Sequence, residues 1–395
     1  MSYQLQALKN HYRTALYTYF RINNLAEVYE QFQLDPNKTP VFTYSNSVSE
    51  RAASRRLLHL KRDLAKYGQD DKDITVFLER RILETRILKR YCALNNKPDK
   101  VSQSDLDGYL SLQTKLYGEV SSDLYEGILS SLEDIAKKTS SNKKQLPKPD
   151  KDTFRHYKEL FNNAFPELND IFASIPSKVN YPTNLILGLL SQALISIDAD
   201  KAGWAPQLIS HGSHVVVAKH SRKVLISDQI KPHTALRLKQ IIAHEIACHV
   251  QRTLGSSPAT NSYFANDEEG LAIVLEQLVN NRFTHKRTMR YLALCLALGQ
   301  GGQPRNFIDT YDVMLRAMLD LGNSEDKAKL KAFYETSRVF RGGFPEIAGG
   351  VYIKDKIYLE SNLRVWEQLK ENHLDKDRFE RLFRSPELIK QGVPA

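Results

Sequence analysis

Residues 204–250 read WAPQLISHGSHVVVAKHSRKVLISDQIKPHTALRLKQIIAHEIACHV. The hydrophobic period changes within this stretch. Residues 204–210, 215–218 and 223–227 are short, β-branched runs separated by the turn-like HGSH and KHSR. They read as three strands of a small antiparallel sheet. From residue 234 to 254 the apolar residues recur at three and four, the period of a helix. A short sheet leading into a helix that carries His244, Glu245 and His249 is therefore the expected centre of the fold.

Helical patterns surround this centre. Before it, residues 180–195 (NYPTNLILGLLSQALI) read as a buried helix with Pro182 near its first turn. After it, helices are expected over 267–282, 287–298, 306–321 and 327–338. A late Gly-rich segment, RGGFPEIAGGVYIKDKIYLES, reads as a loop followed by a hairpin. Residues 1–136 read as an N-terminal helical region, with clear periodicity over 48–67 and 74–94 and a connecting segment at VFTYSN. The stretch 137–152 (KKTSSNKKQLPKPDKD) is polar, holds two prolines and lacks apolar periodicity, so it reads as a linker or long surface loop. Residues 153–395 are then expected to form the domain that carries the helix with His244, Glu245 and His249. The order predicts a mostly helical α+β protein, with a small antiparallel sheet packed beside the helix that carries His244, Glu245 and His249.

Composition narrows the function classes. With 42% hydrophobic and 26% charged residues among 395, the chain is neither disordered, collagen-like nor a coiled-coil rod. The net charge of +10 suits an acidic partner or substrate, but no nucleic-acid-binding module accompanies it. Residues 51–90 hold 12 Lys+Arg against 6 Asp+Glu, a pattern that usually coats a solvated helix face and otherwise marks a basic docking surface. Three well-separated cysteines, Cys92, Cys248 and Cys295, imply no disulfide framework and favour a reducing compartment. No apolar run is long enough to span a membrane, and the first residues lack a signal-peptide pattern. A cytoplasmic protein is expected.

The chemistry lies in His244-Glu245-Ile246-Ala247-Cys248-His249. Neutral imidazoles bind zinc, a third ligand completes the protein set, and an open position admits water. A glutamate beside the metal can take the water's proton. The familiar H-E-x-x-H spacing puts two histidines on one helical face. Here they are five residues apart, which rotates them roughly 140° on an ideal α-helix. Both reach one metal only if the helix widens, so a π-type turn around Ala247 and Cys248 is predicted. Cys248, four residues after His244, is a rival ligand, although a cysteine on a buried helix is more often a small hydrophobe. The third ligand is expected from the run Asn266-Asp267-Glu268-Glu269-Gly270-Leu271-Ala272, where Glu268 and Glu269 face different ways. Those acids also suit a bare helix N-terminus. His211, His214, His220 and His233 cluster in sequence but lack ligand-like spacing on one face.

HEIACHV followed by DEEGLA resembles the HEIGTH…QEGLA signature of the family that contains the microtubule-associated tyrosine carboxypeptidases, whose bacterial members carry the QEGLA-motif label. The segments TPVFTYSN and VFRGG…GGVYIKDKIYLES are similar in type and order, so the likeness covers most of the chain and is weakest over the first 40 residues. The resemblance implies His244, His249 and Glu269 as ligands of one zinc ion per chain, and Glu245 as catalytic base. Two departures stand out: Ala247-Cys248 replaces Gly-Thr, and Glu268 replaces the glutamine.

The resemblance further implies a zinc metallocarboxypeptidase that removes a C-terminal residue, tyrosine in the characterised eukaryotic members, from a peptide or protein tail of acidic character. Such an enzyme needs a cation for the terminal carboxylate, and arginine suits its geometry. Arg341 is the first candidate, with Lys354 and Arg338 behind it. Tyr352 and Tyr358 are candidates for oxyanion support, with plain packing as the alternative. Residues 215–218 offer a strand edge for an extended peptide. Two other readings stay open: a zinc endo- or aminopeptidase, and a non-enzymatic basic scaffolding protein that keeps a degenerate metal site.

Overall fold

The computed structural model describes residues 3–12, 14–44, 48–69, 71–96, 100–137, 146–177, 180–210, 215–219, 221–228, 230, 232–255, 265–285 and 287–383. The chain divides into two compact units, each assembled from separated stretches of sequence. The first comprises residues 1–13, 148–286 and 357–395; the second comprises 14–147 and 287–356. The 137–152 stretch expected to link domains falls partly outside the described residues.

The first unit is helical around a small sheet. Helix Lys151–Ala164 starts at Asp150, whose carboxylate accepts from the Thr153 N–H. Helix Thr183–Ser196 begins one residue after Pro182, and Asn180–Tyr181, expected in that helix, instead form strand β1. Strands β2 (Ala205–Ile209), β3 (Val215–Ala218) and β4 (Lys223–Ser227) make a three-stranded sheet in the order β2-β4-β3. Strand β5 (His233–Thr234) pairs antiparallel with β1.

The sheet differs from the expected antiparallel one in one pair. β3 and β4 are antiparallel, with Val215 opposite Ile226, but β2 and β4 run parallel, with Ala205 opposite Lys223. The pattern of apolar residues fixes which face of a strand is buried, not the direction of its neighbour. β4 is the most buried strand, with Val224 and Ile226 fully buried. It takes the middle, and β2 and β3 are left at the edges.

The rest of the unit's core comes from the histidine-bearing helix, from helix Ala265–Val279 and from helix Ile357–Asn372. The expected hairpin near the C-terminus is absent. Turns through Gly342 and Gly349, both with positive φ, lead instead to a 3₁₀ turn at Ile353–Lys356 and then to Ile357–Asn372. Ile357, Ser361, Val365 and Leu369 are all buried. They recur every four residues, a helical period that the short alternation of VYIKDK masks.

The helices Ala265–Val279 and Ile357–Asn372 meet at Gly270, where a Cβ would overlap the carbonyl and side chain of Ser361. A buried polar network locks their register. The Gln277 amide donates to the Thr284 carbonyl at 2.7 Å and accepts from Trp366 Nε1 at 2.7 Å, and it exchanges two bonds of 3.1 Å with Asn362. Satisfied networks of this kind hold one geometry, because each broken bond strands a buried polar group.

The second unit is helical. Glu50–Tyr67, capped by Ser49, and Lys72–Asn95, capped by Asp71, pack on each other. Ser102 and Asp105 form a reciprocal cap on Gln103–Tyr117. Phe20, Tyr91, Tyr109, Tyr117, Phe344 and Tyr352 make a cluster of edge-on and stacked rings. Among the described residues no helix is long and apolar enough to cross a membrane.

Gly270→Ala is expected to destabilise the protein by about 1–3 kcal/mol, because the added methyl must push two packed helices apart. Urea unfolding of the variant beside wild type measures the loss; an unchanged midpoint would mean that the close approach at Ser361 is not required.

Candidate metal centre

Thr234 caps the histidine helix, accepting from the Arg237 N–H at 3.3 Å. The helix is α-helical over Ala235–Ile241, π-helical over Ile242–Val250 and α-helical again over Gln251–Gly255. The Gln251 N–H reaches the Ile246 carbonyl, five residues back. The widened ladder is longer than the single turn expected at Ala247 and Cys248. In such a ladder, residues five apart come onto one face, and the imidazoles of His244 and His249 meet with ring centroids 4.9 Å apart at 73°. Ile242, Ala243, Ile246, Ala247, Cys248 and Val250 are fully buried and hold the segment by packing.

Helix Ala265–Val279 supplies the acids. Glu269 and Glu276 are seven residues apart, so they share a helical face, while Glu268 points about 100° away. Potential ligand atoms of His244, His249 and Glu269 lie within 4.8 Å of one another. Nε2 of His244 is 3.6 Å from Oε2 of Glu269. The other nitrogen of each ring is engaged: His244 Nδ1 is 2.7 Å from Glu276 Oε1, and His249 Nδ1 is 2.5 Å from Glu268 Oε1. Where a carboxylate accepts the Nδ1–H, Nε2 of the neutral ring is the nitrogen that carries the lone pair. Carboxylates on the far nitrogen orient metal-binding histidines in this way. Two imidazole nitrogens and one carboxylate, converging from two helices, fit the donor set of a catalytic zinc site with an open position.

The charges are dense. Burial works against an imidazolium at His244, yet Glu269, Glu276 and Glu245 hold its pKa well above the ordinary histidine value. Burial also raises the carboxyl of Glu245, against the pull of His244 and His249. Glu268 is held far below the usual carboxylate range: burial opposes this, but Lys219, His249 and Arg252 outweigh it. The Cys248 thiol is pushed well up by burial and donates to the Glu268 carbonyl at 3.6 Å. It is not among the clustered ligand atoms.

Four residues of the surroundings escape the sequence reading. Glu276 was visible only as a second acid on the Glu269 face. Lys219, just past β3, reaches Glu268 Oε1 at 2.6 Å, and Arg237 reaches Glu276 Oε2 at 3.7 Å. Arg252 is fully buried and its three guanidinium nitrogens have no hydrogen-bond acceptor among the described residues. Nothing in sequence spacing flags a pairing between a strand end and a helix 49 residues later.

The remaining candidates fall elsewhere. His211, His214 and His220 lie outside the described residues, and His233 sits half-buried in β5. Tyr358 lies in the first turn of Ile357–Asn372 in the first unit. Arg338, Arg341, Tyr352 and Lys354 belong to the second unit. There the Arg341 guanidinium is buried against Asp355, Arg338 Nε is 3.2 Å from the same carboxylate, and Arg290 Nη1 is 3.4 Å from it. The Tyr352 hydroxyl shares a 2.6 Å hydrogen bond with Tyr117.

The geometry is that of a helical protein with a two-histidine, one-glutamate site, and the sequence comparison points the same way. Residues 212–384 match the model of the family described as microtubule-associated tyrosine carboxypeptidase, the family whose motifs the chain resembles. The match takes in the π-helical segment, both glutamates of the DEEGLA run, Glu276 and the Gly-rich segment. Searches of curated proteins and of solved structures give no significant match.

Asp355 provides a test of the second unit. Its carboxyl is buried, which opposes ionisation, but Arg341, Arg338 and Arg290 hold it far below the ordinary value. A group depressed on folding stabilises above its unfolded pKa, about 3.9 for aspartate, and that contribution is lost as pH falls toward the folded value. Asp355→Asn is expected to cost about 3–5 kcal/mol near neutrality, since it strands buried arginines. The gap to wild type should shrink below about pH 4. A gap that stays constant with pH, measured by denaturant titration, would contradict the assignment.

Proposed function

We propose that the protein is a zinc-dependent carboxypeptidase that hydrolyses the last peptide bond of a protein or peptide tail. The observation that carries this reading is the convergence of His244, His249 and Glu269 within 4.8 Å, on the same helical segment as Glu245. The family match to residues 212–384 supports carboxypeptidase chemistry and a protein substrate, with a C-terminal tyrosine as the first residue to test.

His244, His249 and Glu269 would hold the metal. When bound, zinc supplies Lewis acidity to the scissile carbonyl and lowers the pKa of water at the open position. Glu245 takes the water's proton and passes it to the leaving amine. Its carboxyl is raised by burial, which brings it closer to the working pH of a general base. Glu276 and Glu268 keep the two imidazoles oriented through Nδ1. Among the described residues β3 lies at an edge of the sheet and packs on the π-helical segment, so that edge suits an extended peptide. The net charge of +10 favours an acidic tail. Catalysis in the cytoplasm agrees with three free cysteines, all buried.

Metal content and turnover of an acidic peptide ending in tyrosine test this reading together. Wild type is expected to carry one zinc per chain and to release tyrosine. His244→Ala should lose the metal, and Glu245→Gln should keep it while turnover falls by at least about 100-fold. Cys248→Ala should keep the metal. Zinc with cleavage inside the peptide, or from its N-terminus, would move the assignment to an endo- or aminopeptidase. A wild-type protein without zinc after metal reconstitution would favour a non-enzymatic role.

A further inference from the structure

Glu268 stands apart from the ligand set yet is tied to the histidine helix at two points. One oxygen, Oε1, accepts from His249 Nδ1 at 2.5 Å and from Lys219 Nζ at 2.6 Å. Its backbone carbonyl accepts the Cys248 thiol. The side chain is only 3% exposed, whereas that of Lys219 is 35% exposed and reaches inward from the turn after β3. A buried carboxylate without a partner is strongly destabilising. The ammonium in direct contact with this carboxylate is brought from another element, the turn after β3.

We propose that Glu268 is a positioning residue that fixes the ring and tautomer of His249, and that Lys219 is the counter-charge that allows an acid to stand there. With Nδ1–H donated to Glu268, Nε2 of His249 is left as the ligating nitrogen. His244 is treated in parallel by Glu276, with Arg237 behind it at 3.7 Å. The two histidines thus hang from one helix, and their two orienting acids project from another. Lys219 couples the sheet to this arrangement, because β3 and the 268 position are joined through its ammonium group. Outer carboxylates of this kind typically contribute 10–100-fold to metal affinity.

This inference rests on the proposed metal site, and the test separates the two. Zinc affinity is measured by chelator competition, the visible spectrum is recorded with Co2+, and the melting temperature of the metal-free full chain is followed. Wild type, Glu268→Ala, Glu268→Gln, Lys219→Met and the double variant Lys219→Met/Glu268→Gln are compared. Glu268→Ala should bind zinc about 10–100-fold more weakly and shift the Co2+ bands. Glu268→Gln keeps an oxygen acceptor and should stay within about fivefold of wild type. In the metal-free protein, Lys219→Met should lower the melting temperature by roughly 5–10 °C, and adding Glu268→Gln should recover most of that loss, since no charge is then stranded. If Glu268→Ala does not fold, Lys219→Met/Glu268→Met removes both charges and the acceptor together and takes its place in the zinc measurement. Wild-type zinc affinity in the variant lacking the acceptor, or no recovery in the double variant, would overturn the proposal. Absence of zinc in wild type would overturn the metal reading itself.

Discussion

The i→i+5 ladder of Ile242–Val250 is the constraint on which the site depends. Ridges five residues apart do not align on an α-helix, and the two histidines would diverge by roughly 140°. Widening the helix costs hydrogen-bond geometry, which is why such turns are rare and concentrate where a function needs them. This one is affordable because its outward-facing residues are small or apolar and fully buried, so tertiary packing rather than local propensity sets the backbone. Ala243, Ala247 and Cys248 are small and fully buried, and Cys248 donates its thiol to the Glu268 carbonyl of the neighbouring helix.

Once the histidines are aligned, the rest of the first unit serves to aim acids at them. Helix Ala265–Val279 presents Glu269 and Glu276 on one face and Glu268 beside it. Its position is fixed by the close approach at Gly270 and by the Gln277–Asn362–Trp366 network, both against Ile357–Asn372. Arg364 adds a tie from that helix to Asp267 at 2.5 Å. The glycine of the DEEGLA run is thus a packing requirement, while the glutamates before it belong to the site. Four glutamates gathered around two imidazoles make the centre strongly attractive to a cation. Lys219 and Arg237 sit behind the acids and not among the ligand atoms, so they temper the charge without filling the site.

Much of this was legible in the sequence, for identifiable reasons. Long helices with a clear period, such as Glu50–Tyr67 and Lys72–Asn95, fell close to their expected bounds because burial and period agree there. The five-residue spacing of His244 and His249 forced a widened helix if both were to meet one ion, and the π-helical segment is that solution. Strand direction was not legible, because alternation of side chains is the same for parallel and antiparallel neighbours. The Gly-rich segment misled because three alternating apolar residues precede a helix whose buried positions recur every four. Lys219, Arg237 and Arg252 were hidden for another reason: their roles arise from pairing across elements, and each looks like an ordinary surface charge in the linear chain.

In the proposed site, two histidines and Glu269, brought together by a π-helical turn, hold one metal ion while Cys248 stays outside. The zinc K-edge X-ray absorption spectrum of the metal-loaded protein addresses it most directly. Two imidazole ligands and oxygen scatterers at about 2.0–2.2 Å, with no sulfur shell, are predicted. A sulfur contribution near about 2.3 Å would place Cys248 on the metal and contradict the ligand set.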